Sequence, residues 1–243
     1  MASLKKCGFI ALDGMYGWDA FAFAERLRGH VYGMKVNDSF DGDLSPREVV
    51  GRLKALGFKV FADTKYHDIP MTVANRVKRM AQNGADLITV HASGGREMVK
   101  AAVEAYASAG VRDMQDGGKP GMGILAVTVL TSLDDAGCWS VYRDLPDLTA
   151  CRLVEVAKQP GLYGFVCSPQ ELKIMEVDPS DLKLVTPGLR SAGAATHDQA
   201  RADTPANALG NGANYLVIGR EVTQAPDPLE AIARINASMA HLP

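Results

Sequence analysis

Lys59-Val60-Phe61-Ala62-Asp63-Thr64-Lys65-Tyr66-His67-Asp68 is the stretch on which the fold turns. It opens as a mostly apolar run and ends in alternating charge. A strand with one wet face would alternate apolar and polar residues, whereas a run of this kind suits a parallel strand covered on both faces. The charges fall at its C-terminal end. The stretch 72–83 follows, with apolar residues three and four apart, which predicts an amphipathic helix.

The same pairing of run and amphipathic stretch extends outward in both directions. Strands are expected at 9–13, 31–36, 59–65, 87–92, 123–131, 164–168, 182–187 and 215–220. Helices are expected at 19–28, 46–56, 72–83, 96–109, 148–158 and 229–240. Ser45-Pro46-Arg47-Glu48 is a capping box with Pro at the first helical position, and Gly57 closes that helix. Eight units in 243 residues give about 30 residues each, the size of a strand–helix–strand element.

Two arrangements fit: a closed barrel or an open doubly wound sheet. Eight units in a chain of this length favour the barrel. The open sheet should carry G-x-G-x-x-G after its first strand, and Asp13-Gly14-Met15-Tyr16-Gly17 does not supply it. The expectation is an α/β chain folded as one (β/α)8 TIM barrel over 1–243. Asp116-Gly117-Gly118-Lys119-Pro120-Gly121 reads as the loop entering strand five, and Pro120 after Lys119 departs from the phosphate-loop pattern.

Composition narrows the function. Apolar residues make up 47% of the chain, and 26 Lys and Arg against 28 Asp and Glu leave a formal charge of −2. That balance disfavours a nucleic-acid binder with a basic surface and a polybasic membrane anchor. No run reaches the roughly 20 apolar residues of a membrane span. Cys7, Cys138, Cys151 and Cys167 lack both C-x-x-C pairing and zinc spacing, as expected of reduced thiols in a cytoplasmic protein.

In a barrel, polar residues at the C-terminal strand ends read as chemistry. Here those ends carry Asp13, Lys35, Asp63 with Lys65, His91, Ser132, Ser168, Arg190 and Arg220. Positions i and i+2 of a regular strand share a face, so Asp63 and Lys65 should project together, with Lys35 beside them on strand two. Buried Lys and Asp are costly unless paired, which an alternating array solves. Such an array is either a structural ion-pair network or a reaction centre. His67 beside Asp68 is too little for a metal site. At the other side, Thr186-Pro187-Gly188-Leu189-Arg190, a helix opening near Asp198-Gln199, and Gly219-Arg220 lie where such barrels often bind phosphate. An anionic substrate, its phosphate at strands seven and eight and its reacting end over strands two and three, needs only placed charge and a proton donor, with no cofactor.

These segments resemble one family along nearly the whole chain, orotidine 5'-phosphate decarboxylase. The resemblance is carried by Ala11-Leu12-Asp13, Asp63-Thr64-Lys65-Tyr66-His67-Asp68-Ile69-Pro70 and Val90-His91-Ala92-Ser93-Gly94-Gly95. Val127-Thr128-Val129-Leu130-Thr131-Ser132, Thr186-Pro187-Gly188-Leu189-Arg190, Asp198-Gln199-Ala200-Arg201 and Ile218-Gly219-Arg220 complete it. The D-x-K-x-x-D motif alone is shared with sugar-phosphate lyases of the wider group. The resemblance implies that Asp13 and Lys35 hold the ribose, Asp63 sits against the substrate carboxylate, and Lys65 protonates C6. It implies a homodimer in which Asp68 and Thr72 reach the partner's site. Ser132 would contact the pyrimidine, while Arg190, Gln199, Gly219 and Arg220 grip the phosphate. Neither metal nor cofactor is implied. Three positions depart from the family pattern: Asn37 for Gly, Met71 for Asn, and Ser191 for Pro. The last is expected to loosen the loop after Arg190.

Overall fold

The structure, a computed structural model, describes residues 1–113, 119–175, 177–178, 181–191, 201 and 203–242. Eight parallel strands close into a barrel, each paired with its neighbours in chain order and the last with the first. They are β1 (Gly8–Ala11), β2 (Gly33–Val36), β3 (Lys59–Tyr66), β4 (Leu87–His91), β5 (Gly123–Val127), β6 (Gly164–Val166), β7 (Lys183–Thr186) and β8 (Tyr215–Ile218). The expected TIM barrel is the fold that forms. A two-stranded ribbon, Arg112–Asp113 with Lys119–Pro120, precedes β5.

Period-two alternation divides the strand residues between two cores. Phe9, Ala11, Phe61, Leu87, Leu125, Val127, Val166, Val185 and Val217 pack inside the barrel. The intervening residues, such as Ile10, Met34, Val60, Ile88 and Ala126, pack outward with the helices. Gly33 is fixed by the inner core: a Cβ there would lie 2.6 Å from the Phe9 ring and 2.3 Å from the Lys59 carbonyl oxygen. That space lets Phe9 fill the barrel floor, edge-on to Phe61, Tyr32 and Tyr215. The floor is therefore sealed by aromatic rings, and the cleft opens at the other end.

The helices are α1 (Leu4–Cys7), α2 (Gly17–Arg26), α3 (Pro46–Ala55), α4 (Pro70–Gln82), α5 (Arg96–Ser108), α6 (Asp135–Tyr142), α7 (Pro146–Ala157), α8 (Pro205–Gly210), α9 (Arg220–Thr223) and α10 (Pro228–Ser238), of which α2, α3, α4, α5, α7 and α10 follow their sequence signals. The capping box at α3 is complete, with Ser45 and Glu48 each bonding the other's backbone N–H. The short helices α1, α6, α8 and α9 carry too little periodicity to be foreseen. Strands five and six stop earlier than expected, at Val127 and Val166. Past those points single bonds, Thr128 N–H to Val166 O and Cys167 N–H to Val185 O, are made before the chain turns over the barrel mouth. No helix among the described residues is long and apolar enough to cross a membrane.

Candidate active site

The C-terminal mouth holds a cleft of about 410 Å³. Its floor is charged. Lys35 projects inward from β2, two residues after Gly33, and its Nζ lies 2.6 Å from Asp13 Oδ1 and 3.1 Å from Asp63 Oδ2. Lys65 Nζ donates to the same Asp63 Oδ2 at 2.7 Å. Two ammonium groups thus converge on one carboxylate oxygen. The other oxygen, Oδ1, accepts from Thr89 Oγ1 at 3.0 Å. Thr89 in turn accepts the Lys65 backbone N–H at 2.8 Å, so β4 fixes both the acid and the backbone of the base beside it.

Regular strand geometry does not produce this pairing. The β3–β4 register slips between Ala62 and Tyr66, and Lys65 takes φ +44, left-handed backbone that few side-chain-bearing residues adopt. Such a conformation costs on the order of 1–3 kcal/mol and persists only where its surroundings impose it. Asp63 keeps the inward direction of Phe61. Lys65 reaches the same carboxylate by a bulge, not by sharing a pleat face as the i, i+2 argument assumed.

Burial favours neutral forms here, yet the array stays charged. Burial alone would raise the Asp63 carboxyl, but Lys35 and Lys65 outweigh it and hold it at about 2. Burial alone would lower Lys35, and Asp63 with Asp13 reverses this and raises it above the ordinary lysine value. His91, at the end of β4, is lowered by burial, by His67 and by Lys65, against the pull of Asp63. It therefore stays neutral at neutral pH and leaves the cationic work to the lysines.

The opposite wall combines apolar and cationic groups. Val129, Leu130 and Thr131 line it after β5, and Arg190, Gly219 and Arg220 line it after β7 and β8. Arg190 is 8% exposed and donates to the Leu189 carbonyl at 2.6 Å. Burial and the nearby Arg220 both lower its pKa, while Glu221 pulls it back. Two guanidiniums close enough to oppose each other make a place where an anion is stabilised.

Residues 9–235 match the Orotidine 5'-phosphate decarboxylase / HUMPS family. The chain belongs to this family. An orotidine 5'-phosphate decarboxylase from Laribacter hongkongensis is 40% identical over 232 residues, covering 95% of this chain and 92% of its own. That of Chromobacterium violaceum is 42% identical over 233 residues, covering 95% and 90%. The crystal structure of orotidine 5'-phosphate decarboxylase from Lactobacillus acidophilus superposes with a TM-score of 0.76 at 31% identity, covering 96% of this chain and 99% of that one.

Of the positions singled out by resemblance to this family, Asp13, Lys35, Asp63, Lys65, Arg190, Gly219 and Arg220 meet in the one cleft. Asp68 and Thr72 do not line it. Asp68 is exposed, with Arg76 3.8 Å away, and Thr72 is half-buried at the start of α4. Ser132 is exposed on the loop after β5, where its neighbours Leu130 and Thr131 line the cleft instead. Gln199, with the helix expected near it, lies outside the described residues. Ser191 itself is not loose: its N–H donates to Glu221 Oε2 at 2.9 Å and its hydroxyl to the other carboxylate oxygen. Thr89, Glu171, Arg201 and Glu221 were missed. Thr89 had a signal, as the one polar residue inside the run 87–90, two places beyond inward-facing Leu87.

Proposed function

We propose that this chain decarboxylates orotidine 5'-phosphate to UMP and carbon dioxide in the pyrimidine pathway, without metal or cofactor, as a cytoplasmic homodimer. The observation that carries the reading is the convergence of Lys35 and Lys65 on Asp63 across a cleft from Arg190 and Arg220. Its curated relatives named for that activity support it.

In this mechanism Arg190, Gln199 and the Gly219-Arg220 turn hold the phosphate, Asp13 and Lys35 hold the ribose hydroxyls, and the loop after β5, through Leu130 and Thr131, walls the pyrimidine. The C6–carboxylate bond breaks and leaves its electron pair on C6. Lys65 Nζ donates a proton there, becomes a neutral amine, and recovers its proton from solvent. No neighbouring carbonyl delocalises the developing charge well, so preorganised ammonium groups stabilise it. Asp63, still ionised at neutral pH, holds both ammonium groups in place. Remote phosphate contacts contribute binding energy that is useful at the transition state.

The family also includes lyases acting on sugar phosphates, which use a magnesium ion between a strand-two carboxylate and the strand-three Asp. Here strand two offers Lys35, whose ammonium stands 3.1 Å from Asp63 and would repel such an ion. Loss of orotidine 5'-phosphate absorbance in buffer containing EDTA tests the reading; no loss, or loss only with added magnesium, defeats it. The outward position of Asp68 and Thr72 supports their service in a partner's cleft. Mixing inactive Lys65→Ala and Asp68→Ala chains should then restore up to about a quarter of native activity to the mixture, through one native site in each mixed dimer; no recovery removes the shared site.

A further inference from the structure

Arg201 and Glu171 form an ion pair at the barrel mouth with 6% and 1% of their surfaces exposed. Neither lines the cleft, and the mechanism above uses neither. A buried pair of this kind is weak support for stability, because desolvation offsets most of the attraction. Glu171 lies beyond β6 and accepts from the Ser168 N–H at 3.0 Å and from Thr128 Oγ1 at 3.3 Å. Arg201 uses its other nitrogen on the wall of the cleft, donating from Nη2 to the carbonyls of Leu130 at 3.1 Å and Val129 at 3.3 Å. Two positions along, the Asp203 carbonyl accepts the Arg190 N–H at 3.0 Å, and Leu189 bridges to Asp203. Residues two apart in sequence therefore hold the apolar wall on one side and the cationic wall on the other.

We infer that Arg201 is a positioning residue that couples the two walls, so that phosphate held at Arg190 sets where Val129 and Leu130 stand against the base. This rests on the decarboxylase reading. Arg is suited to the task because its planar fork spans Glu171 and two carbonyls at once, which an ammonium cannot do. Glu171 keeps the guanidinium compensated where water is excluded.

The test compares orotidine 5'-phosphate with orotidine, which lacks the phosphate. The double variant Arg201→Met/Glu171→Met removes the pair without stranding a buried charge. It should fold with a lowered melting temperature, since the Ser168 N–H loses its acceptor, and lose about 100-fold in kcat/KM on orotidine 5'-phosphate, the scale of a small misplacement of reacting groups. The slow reaction of orotidine should change less than about three-fold, since it draws on no phosphate contact. Equal loss on both substrates, or no loss on the phosphorylated one, overturns the inference. If the double variant does not fold, Arg201→Lys carries the same comparison, with selective loss supporting the coupling and equal or absent loss refuting it. Failure of the unmutated chain to consume orotidine 5'-phosphate would instead sink the decarboxylase reading itself.

Discussion

Asp63 and Asp86 are both buried carboxylates held by lysine, and they sit at opposite ends of the barrel strands. Asp86 precedes β4. Lys54 Nζ donates to its two oxygens at 2.7 and 2.8 Å, and the Val60 N–H adds a third bond at 2.7 Å. One cation meets one anion, neither residue lines the cleft, and neither has the left-handed backbone found at Lys65. Asp63 has two cations on one oxygen, a neighbour at φ +44, and an open cleft above it. The first arrangement is what a fold needs to satisfy a buried charge. The second holds more positive charge than Asp63 alone requires and adds backbone strain, which a purely structural network gives no reason to keep.

The largest expected effect lies at the mouth. Lys65→Ala should lower kcat at least about 10⁴-fold, combining loss of a proton donor with loss of electrostatic stabilisation. UMP binding should remain measurable by calorimetry, since Lys35, Arg190 and Arg220 are untouched. Turnover near the native rate would remove the proposed donor and reduce Asp63 to a second Asp86.

Asp86→Ala should do the reverse. It strands the Val60 N–H and removes the anchor of Lys54, so denaturant unfolding should show a loss of about 3 kcal/mol. Activity per folded molecule should stay within about two-fold of native, because additivity holds for distant sites. A large kcat defect in folded protein would mean that the two ends of the barrel are not independent.

Acid tests the array at the mouth directly. Asp63 is held at about 2 against an ordinary value of 3.8. Its folded value is the lower, so its contribution is full above the unfolded pKa and is lost as pH falls through the folded one. Between about pH 4 and pH 2 the native chain should therefore lose about 2 kcal/mol more stability than Asp63→Asn does. Parallel stability curves would show that the lysines do not hold the charge.

The same contrast marks what sequence can carry. Apolar runs, a capping box and eight repeated units are local and periodic, and they sufficed for the barrel. Asp13, Lys35, Asp63 and Lys65 were legible because polar strand ends in a barrel face one rim. Their route together was not, since a bulge between Ala62 and Tyr66 leaves no periodic signature in single residues. Glu171 and Arg201 are 30 positions apart on loops of no fixed period. Nothing in spacing brings them together. Nor does spacing tell whether Asp68 serves this cleft or another chain's, because one strand-to-helix turn satisfies both.

Ser191 gives the smallest effect and the finest test of the cationic wall. Ser191 offers both an N–H and a hydroxyl, and each donates to Glu221. Glu221 is also the group that partly offsets the mutual opposition of Arg190 and Arg220. Ser191→Ala removes the hydroxyl bond and keeps the N–H, leaving a more mobile carboxylate beside the phosphate site. One such bond is worth about 1 kcal/mol, so KM for orotidine 5'-phosphate should shift about five-fold with kcat nearly constant. The direction of the shift distinguishes two roles for Glu221. A rise means that the tether holds Arg190 and Arg220 in place; a fall means that the carboxylate, once tied, competes with phosphate for them. An unchanged KM would show that the serine found here serves the backbone after β7 alone.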